Sequence, residues 1–300
     1  MRGLSPKFIT DLNEGILKEI LYLMKGDNTL DLEIRENYIN IYYRGGNILK
    51  LKENINKNGY IAWFDEKYCL VKNRIISDLT KIITQEIDIL KWIDTLPVIK
   101  NEMNLWFSKN GKLEREFQQL VLRENNSLSN TDYFICDIEN SNQDGRFDML
   151  AVKWISTSSH RKNNRNLRLA IIEMKYSDCS MTGSSGILRH ITSVNAHLKS
   201  ESVLDKLKKE ILNVFNIKYE LGLIKAPKTI SSFSDEKPEL IFLIANHDPS
   251  SKILLRELLK IEESELIDVK FSYANFMGYG LYAPNMKSLE ETIQLLKMQS

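Results

Sequence analysis

The sequence predicts an α/β protein: a C-terminal core of mixed β-sheet flanked by helices, preceded by an N-terminal α+β extension. Three observations predict it. Glu239-Leu240-Ile241-Phe242-Leu243-Ile244-Ala245-Asn246 is a near-continuous apolar run, the pattern of a central strand covered on both faces. Around it, short β-prone runs alternate with amphipathic helical stretches, as an α/β arrangement requires. The first hundred residues differ, with short strands of alternating polarity joined by turn residues.

In chain order, Pro6 to Lys25 reads as one amphipathic helix. Asp31 to Arg35, Tyr38 to Arg44 and Asn47 to Leu51 alternate like strands, and Gly45-Gly46 marks a hairpin turn between the last two. Tyr38, Tyr42, Tyr43 and Arg44 have two readings, a base-stacking surface or cross-strand pairs of the hairpin, and the second is favoured. Helical stretches near Ile75 to Ile93 and Ile99 to Phe107 follow, with Pro97 breaking between them. The extension therefore spans 1–109 and the core 110–300, and with no repeat or low-complexity linker between them the extension is expected to pack on the core.

The core opens on Lys112 to Leu122, whose apolar residues Leu113, Phe117, Leu120 and Val121 recur at helical spacing, with Glu114 and Glu116 flanking the stripe. Arg146 to Val152 and Leu169 to Lys175 are apolar, β-prone strands separated by a polar hairpin loop, Ser156 to Asn166. Helices follow over Ile187 to Leu198 and Ser202 to Tyr219. After the central strand come a helix from Lys252 to Ile261, a strand from Asp268 to Tyr273 and a closing helix from Ser288 to Lys297.

The two strands around the polar loop carry charge where a buried strand should have none. Asp148 lies in the first; Glu173 and Lys175 lie in the second and project from one face, because side chains alternate along a strand. Such groups are costly in a sheet unless they meet one another, a metal or a polar ligand. A structural salt bridge is one resolution. The other is a site for metal-dependent phosphodiester hydrolysis, and the apolar context, Ile171 on the Glu173 face above all, favours it. Asp148 and Glu173 are hard oxygen ligands suited to Mg²⁺, and the backbone carbonyl of Met174 between the key side chains would complete the inner shell. Lys175 would orient the attacking water or stabilise charge on the phosphate.

The order helix-Glu, strand-Asp, strand-Glu-X-Lys resembles that of the PD-(D/E)XK nuclease superfamily, the restriction-endonuclease-like fold. Glu114-Arg115-Glu116-Phe117 is similar to the opening helix of archaeal Holliday-junction resolvases, in which the first Glu joins the metal site. Phe147-Asp148-Met149-Leu150-Ala151 matches the family's Asp strand, with Phe147 where its signature Pro would stand, and Ile171-Ile172-Glu173-Met174-Lys175 matches its Glu-X-Lys strand. The resemblance covers about residues 110 to 280. It implies a central mixed sheet flanked by helices, and cleavage of nucleic acid with Mg²⁺ or Mn²⁺ by Asp148, Glu173, Lys175 and Glu114. DNA is favoured over RNA on superfamily frequency alone, and prokaryotic defence or repair are the settings the family suggests. The rival reading is a catalytically degenerate module of the same fold that binds nucleic acid or protein.

Composition sets the outer bounds. At 300 residues and 43% hydrophobic content the chain can build one large or two modest cores. A net charge of +1 gives no global field for nucleic acid, so any electrostatic footprint must be local. Ser159 to Arg168 is the strongest positive cluster; Arg161, Lys162 and Arg165 are its candidates for gripping phosphate beside the cleavage site, the alternative being a solvated hairpin tip. Arg189, near a helix start where backbone N–H groups favour phosphate, is a fourth, whereas His190 and His197 read as structural. The three cysteines, Cys69, Cys136 and Cys179, lack metal-site spacing and read as free thiols of a reducing compartment. Without a signal peptide or spanning segment a cytoplasmic protein is expected. Abundant Lys, Asn and Ile suggest an AT-rich prokaryotic genome, and a homodimer is among the arrangements the sequence allows.

Overall fold

The structure, a computed structural model, describes residues 1–142, 145–248, 251–274, 281, 283 and 286–299. The chain divides into two compact units, residues 1–119 with 217–223, and residues 120–216 with 224–300. The boundary falls inside a helix rather than at the expected residue 109, and a short later segment returns to the first unit. Among the described residues no helix is long and apolar enough to cross a membrane.

The first unit is an antiparallel sheet in the order β1-β2-β3-β4-β5, formed by β1 (Leu30–Ile34), β2 (Tyr38–Tyr43), β3 (Gly46–Asn54), β4 (Gly59–Trp63) and β5 (Ile82–Ile83). The β2–β3 turn is Arg44-Gly45, one residue earlier than the expected Gly pair, with both at positive φ (49° and 74°) as a two-residue hairpin turn of mirror-image type requires. Gly45 is obligatory there, because a Cβ would lie 2.3 Å from the Cβ of Arg115. Leu32, Ile34, Ile39, Ile41, Leu49, Leu51, Tyr60 and Ala62 are buried in the unit's core.

The N-terminal helix is two helices, α1 (Pro6–Asn13) and α2 (Lys18–Gly26), because Glu14 leaves helical φ/ψ and Gly15 follows it. After the single turn α3 (Arg74–Ser77), α4 runs unbroken from Glu86 to Lys109 through Pro97. Burial on both sides of the proline, by Trp92 and Leu96 before it and Ile99, Met103 and Phe107 after it, outweighs the one backbone bond it removes. Tyr42 is buried, Tyr43 donates to Asn104 at 2.9 Å and Arg44 pairs with Glu116 at 3.1 Å, so these three residues are used within the unit.

The second unit is a mixed sheet in the order β10-β9-β8-β7-β6, with β6 (Tyr133–Asn142), β7 (Gly145–Lys153), β8 (Arg168–Tyr176), β9 (Glu239–Ala245) and β10 (Asp268–Ala274). The β6–β7 and β7–β8 pairs are antiparallel, while the β8–β9 and β9–β10 pairs are parallel. Parallel strands need crossovers, and these are α7 (Ile187–Leu198) with α8 (Glu201–Glu220), then α9 (Ile253–Leu258); α10 (Leu289–Gln299) closes the chain. β9 is buried along its whole length, as its apolar run requires. The α/β class and the mixed sheet match the expectation. The strand β6 adds to the elements that the sequence predicts.

Candidate metal and nucleic-acid site

The site is built where β7 and β8 part. Their ladder runs from Lys153↔Arg168 to Met149↔Ile172, and the next step of the register sets Asp148 opposite Glu173. Directly opposed residues of an antiparallel pair share a face, and alternation puts Lys175 on that face too. All three are buried: Asp148 is 7% exposed, Glu173 1% and Lys175 2%. The arrangement brings the expected strand residues together.

Past the end of the ladder, the N–H of Met174 donates to Asp148 Oδ2 at 3.0 Å. A strand residue turns its N–H and C=O to the same neighbouring strand, so the Met174 carbonyl faces the gap that Asp148 borders. Neither oxygen of Glu173 accepts a hydrogen bond. His190 Nδ1 lies 3.0 Å from Glu173 Oε2, close enough for an ion pair but without hydrogen-bond geometry. No hydrogen bond or ion pair joins Lys175 to another described residue.

Two other buried glutamates give the contrast. Glu239 receives the Tyr133 hydroxyl at 2.7 Å and is flanked by Lys153 at 2.8 Å and Arg168 at 3.1 Å. Burial and that carboxylate push the Tyr133 phenol well above its usual range. Glu33, in the first unit, pairs with Lys218 at 2.8 Å. Glu239 and Glu33 are each met by a Lys or Arg, whereas neither oxygen of Glu173 accepts a hydrogen bond.

That donor set suits a hard divalent cation. Mg²⁺ retains several waters and takes one or two carboxylates, and two carboxylates with a carbonyl are what Asp148, Glu173 and Met174 offer. Among the described residues no three His, Cys, Asp or Glu side chains converge into an all-protein cage.

His190, expected to be structural, is the helix residue that reaches Glu173. α7 begins at Gly186-Ile187, where a side chain on Gly186 would meet the Met181 carbonyl oxygen at 2.7 Å. From there the helix carries His190 to Glu173 and His197 to Phe147, whose ring centroid is 5.2 Å away. The signal was present in the seven-residue spacing of the two histidines, which places them on one side of the helix. Arg189, between Leu188 and His190, is exposed.

The basic loop lies elsewhere. It joins the Lys153 end of β7 to the Arg168 end of β8, five residues along the strand from Asp148, or roughly 17 Å at about 3.3 Å per residue. Its backbone is tied to the segment before β9 through Ser231 N–H to Asn164 O at 2.9 Å and Leu167 N–H to Ser232 O at 3.1 Å. Lys162 and Arg165 are exposed there, at the opposite end of the sheet from the carboxylates. Arg161, in the single turn α6 (Ser158–Arg161), turns inward, stacking over Phe134 and Trp154 at 4.6 and 5.1 Å and donating to the Thr131 carbonyl. Burial pushes its guanidinium down to about 10. Charge on the loop was legible; the end of the sheet it occupies was set by the hairpin's length. A groove lined by Arg168, Glu236, Asp268 and Lys297 also lies at that far end.

Glu114 and Glu116 sit in the first turn of α5 (Leu113–Ser127), in the part of that helix that belongs to the first unit. Glu116 is the partner of Arg44. Glu114 is half-buried. Compared with family models, with curated proteins and with solved structures, the chain shows no match.

Proposed function

We propose that this protein is a metal-dependent nuclease of the restriction-endonuclease-like kind, cutting phosphodiester bonds of nucleic acid, with DNA the favoured substrate. One observation carries the reading: Glu173, 1% exposed with neither oxygen hydrogen-bonded, on one sheet face with Asp148 and the buried Lys175. A buried carboxylate that accepts no hydrogen bond, even with a His ring 3.0 Å away, is costly unless something else satisfies it. The mixed order of the second sheet supports the fold assignment.

In this reading Asp148, Glu173 and the Met174 carbonyl hold Mg²⁺ or Mn²⁺, which when bound acidifies a coordinated water and offsets charge on the phosphate. Lys175, an ammonium on the same face, orients the attacking water and stabilises the negative charge that develops on the phosphoryl oxygens. Asp148 is held for its role by the Met174 N–H. A supporting role for Glu114 rests on the family resemblance alone. Arg189, exposed and next in the chain to His190, which reaches Glu173, is the phosphate contact of this reading.

The test is cleavage of double-stranded, single-stranded and branched DNA and RNA with Mg²⁺ or Mn²⁺, with wild type beside Asp148→Asn, Lys175→Ala and Glu114→Gln. Cleavage lost in the first two variants supports the nuclease. Absence of both cleavage and metal binding in wild type would favour a catalytically degenerate binding module.

A further inference from the structure

We propose that the outer face of the first unit's sheet, formed by Tyr38, Lys50, Lys52, Ile61 and Trp63, binds single-stranded nucleic acid. The pairing register assembles this face. Lys50 is opposite Trp63, Lys52 is opposite both Ile61 and Tyr38, and Ile61 is opposite Ile82. Opposed residues share a face, so these side chains project together while Leu49, Leu51, Tyr60 and Ala62 point into the core.

In the row of Lys50 and Trp63, Asn40 and Glu33 are buried, so the open part of the face lies over β3 and β4, and what it displays is unusual for the solvent side of a sheet. Trp63 is 43% exposed and Ile61 41% exposed, with Lys52 exposed beside them. The Lys50 ammonium sits over the Tyr38 ring at 4.2 Å. Two lysines two residues apart share this face, and neither has an ion pair to a described residue. Burial, and then the like charge of Lys52, pull the Lys50 ammonium below its ordinary range. No Asp or Glu occupies the outward positions of β2 to β5 just named. Glu33, in the same row on β1, is buried and neutralised by Lys218 at 2.8 Å.

The occupant follows from the chemistry. Aromatic rings exposed on a sheet stack unpaired bases, and lysines between them neutralise the backbone phosphates. A duplex hides its base faces and would leave Trp63 with nothing to stack on. The two lysines, mutually repelling as they stand, gain the anion they lack. This inference is independent of metal chemistry, since it concerns a different sheet.

The experiment is fluorescence anisotropy of the full chain with labelled dT and U oligonucleotides of about 15 nucleotides, within the span that such platforms cover. EDTA is present throughout, so cleavage plays no part. Both oligonucleotides should bind, or one in preference, which separates DNA from RNA. Trp63→Ala should weaken binding about 10-fold or more, and Trp63→Phe, which keeps a stacking ring, should weaken it less. Lys50→Ala with Lys52→Ala should lower the slope of log K against log salt by about 1.4, two phosphates at roughly 0.7 each. Trp63 is exposed, so its variants retain the core, and circular dichroism verifies that. Absence of binding by wild type, unchanged binding in these variants, or a duplex bound as tightly as a single strand would overturn the proposal. So would concentration-dependent dimerisation removed by Trp63→Ala, which would make the patch a self-association surface.

Discussion

The carboxylate of Asp148 accepts the backbone N–H of Met174 at 3.0 Å, so the acid on β7 is fastened to the residue between Glu173 and Lys175 on β8. The bond lies past the last ladder pair, Met149↔Ile172, where the strands would otherwise separate freely. Asp148 thus has a structural task and a proposed chemical one, and two substitutions separate them. Asp148→Asn keeps an acceptor for the Met174 N–H and should change stability by less than about 1 kcal/mol, while divalent-cation binding and cleavage are lost. Asp148→Ala leaves a buried N–H unsatisfied and should cost a further 1–3 kcal/mol, roughly. Denaturant unfolding in EDTA, paired with Mn²⁺ titration calorimetry, reads both. Equal stability of the two variants would show that the bond does not hold the strands.

Glu173 and Glu239 are both buried glutamates of the second unit, yet replacing each by Gln should have opposite effects. Glu173 accepts no hydrogen bond, with the His190 ring 3.0 Å away, so Gln there replaces a buried carboxylate that nothing hydrogen-bonds. Glu173→Gln should raise stability without metal by about 1 kcal/mol or more. Glu239 is enclosed by Lys153, Arg168 and Tyr133. Glu239→Gln strands those cations and should cost about 3 kcal/mol. Thermal unfolding in EDTA is the measurement, at about 2–4 °C per kcal/mol for a chain of this general size. A falling midpoint for Glu173→Gln would mean that its partnership with His190 is structural.

These contrasts show which features the sequence exposes. Apolar continuity made β8 and β9 legible, because a strand covered on both faces leaves no polar alternation to confuse. Charge inside such a run made Asp148, Glu173 and Lys175 legible for the same reason. β6 was not read, although Tyr133, Phe134 and Ile135 are buried, because Cys136 and Asp137 interrupt its pattern at an irregular register. Pro97 misled because local propensity argues for a break, whereas the burial of residues on both sides of it is decided by tertiary packing. Arg161 misled because composition reveals a basic loop but not which of its cations lies over Phe134 and Trp154. The His190–Glu173 approach was hidden because it joins a helix to a strand seventeen positions upstream through a turn that the sequence does not dictate.

The cysteines separate by environment. All three are free thiols: Cys179 is exposed, Cys69 half-buried and Cys136 buried. Burial, with Glu102 and Glu66 nearby, pushes the Cys69 thiol up to about 11. Only the thiolate is nucleophilic. A raised value keeps Cys69 protonated at every pH below that point, so its alkylation should remain slow at pH 8 and accelerate as pH climbs towards 11. Iodoacetamide at pH 8 should therefore label the native protein at Cys179 first, with Cys136 reached only after unfolding. Peptide mass mapping over a time course checks the order; labelling of Cys69 as fast as Cys179 would contradict the environment described.

Ser177 ends the strand that carries Glu173 and Lys175, and it does so at φ 64°, ψ 165°, a region that essentially only glycine occupies without strain. Its N–H donates to the Ala245 carbonyl at 2.8 Å, and its hydroxyl lies 3.0 Å from Cys179 Sγ. The backbone bond extends the β8–β9 pairing by one position and holds the residue in the costly conformation. Ser177→Gly should relieve strain of about 1–3 kcal/mol, less up to about 1 kcal/mol for the added freedom of the unfolded chain. Ser177→Ala loses the same contact to Cys179 but keeps a Cβ, so it isolates the backbone effect and should bring no gain. If the strain aims Lys175 for the proposed reaction, the glycine variant will be the more stable protein and will cleave more slowly. Thermal midpoints and cleavage rates of the two variants decide this. A glycine variant no more stable than the alanine one would show that Ser177 carries no such strain.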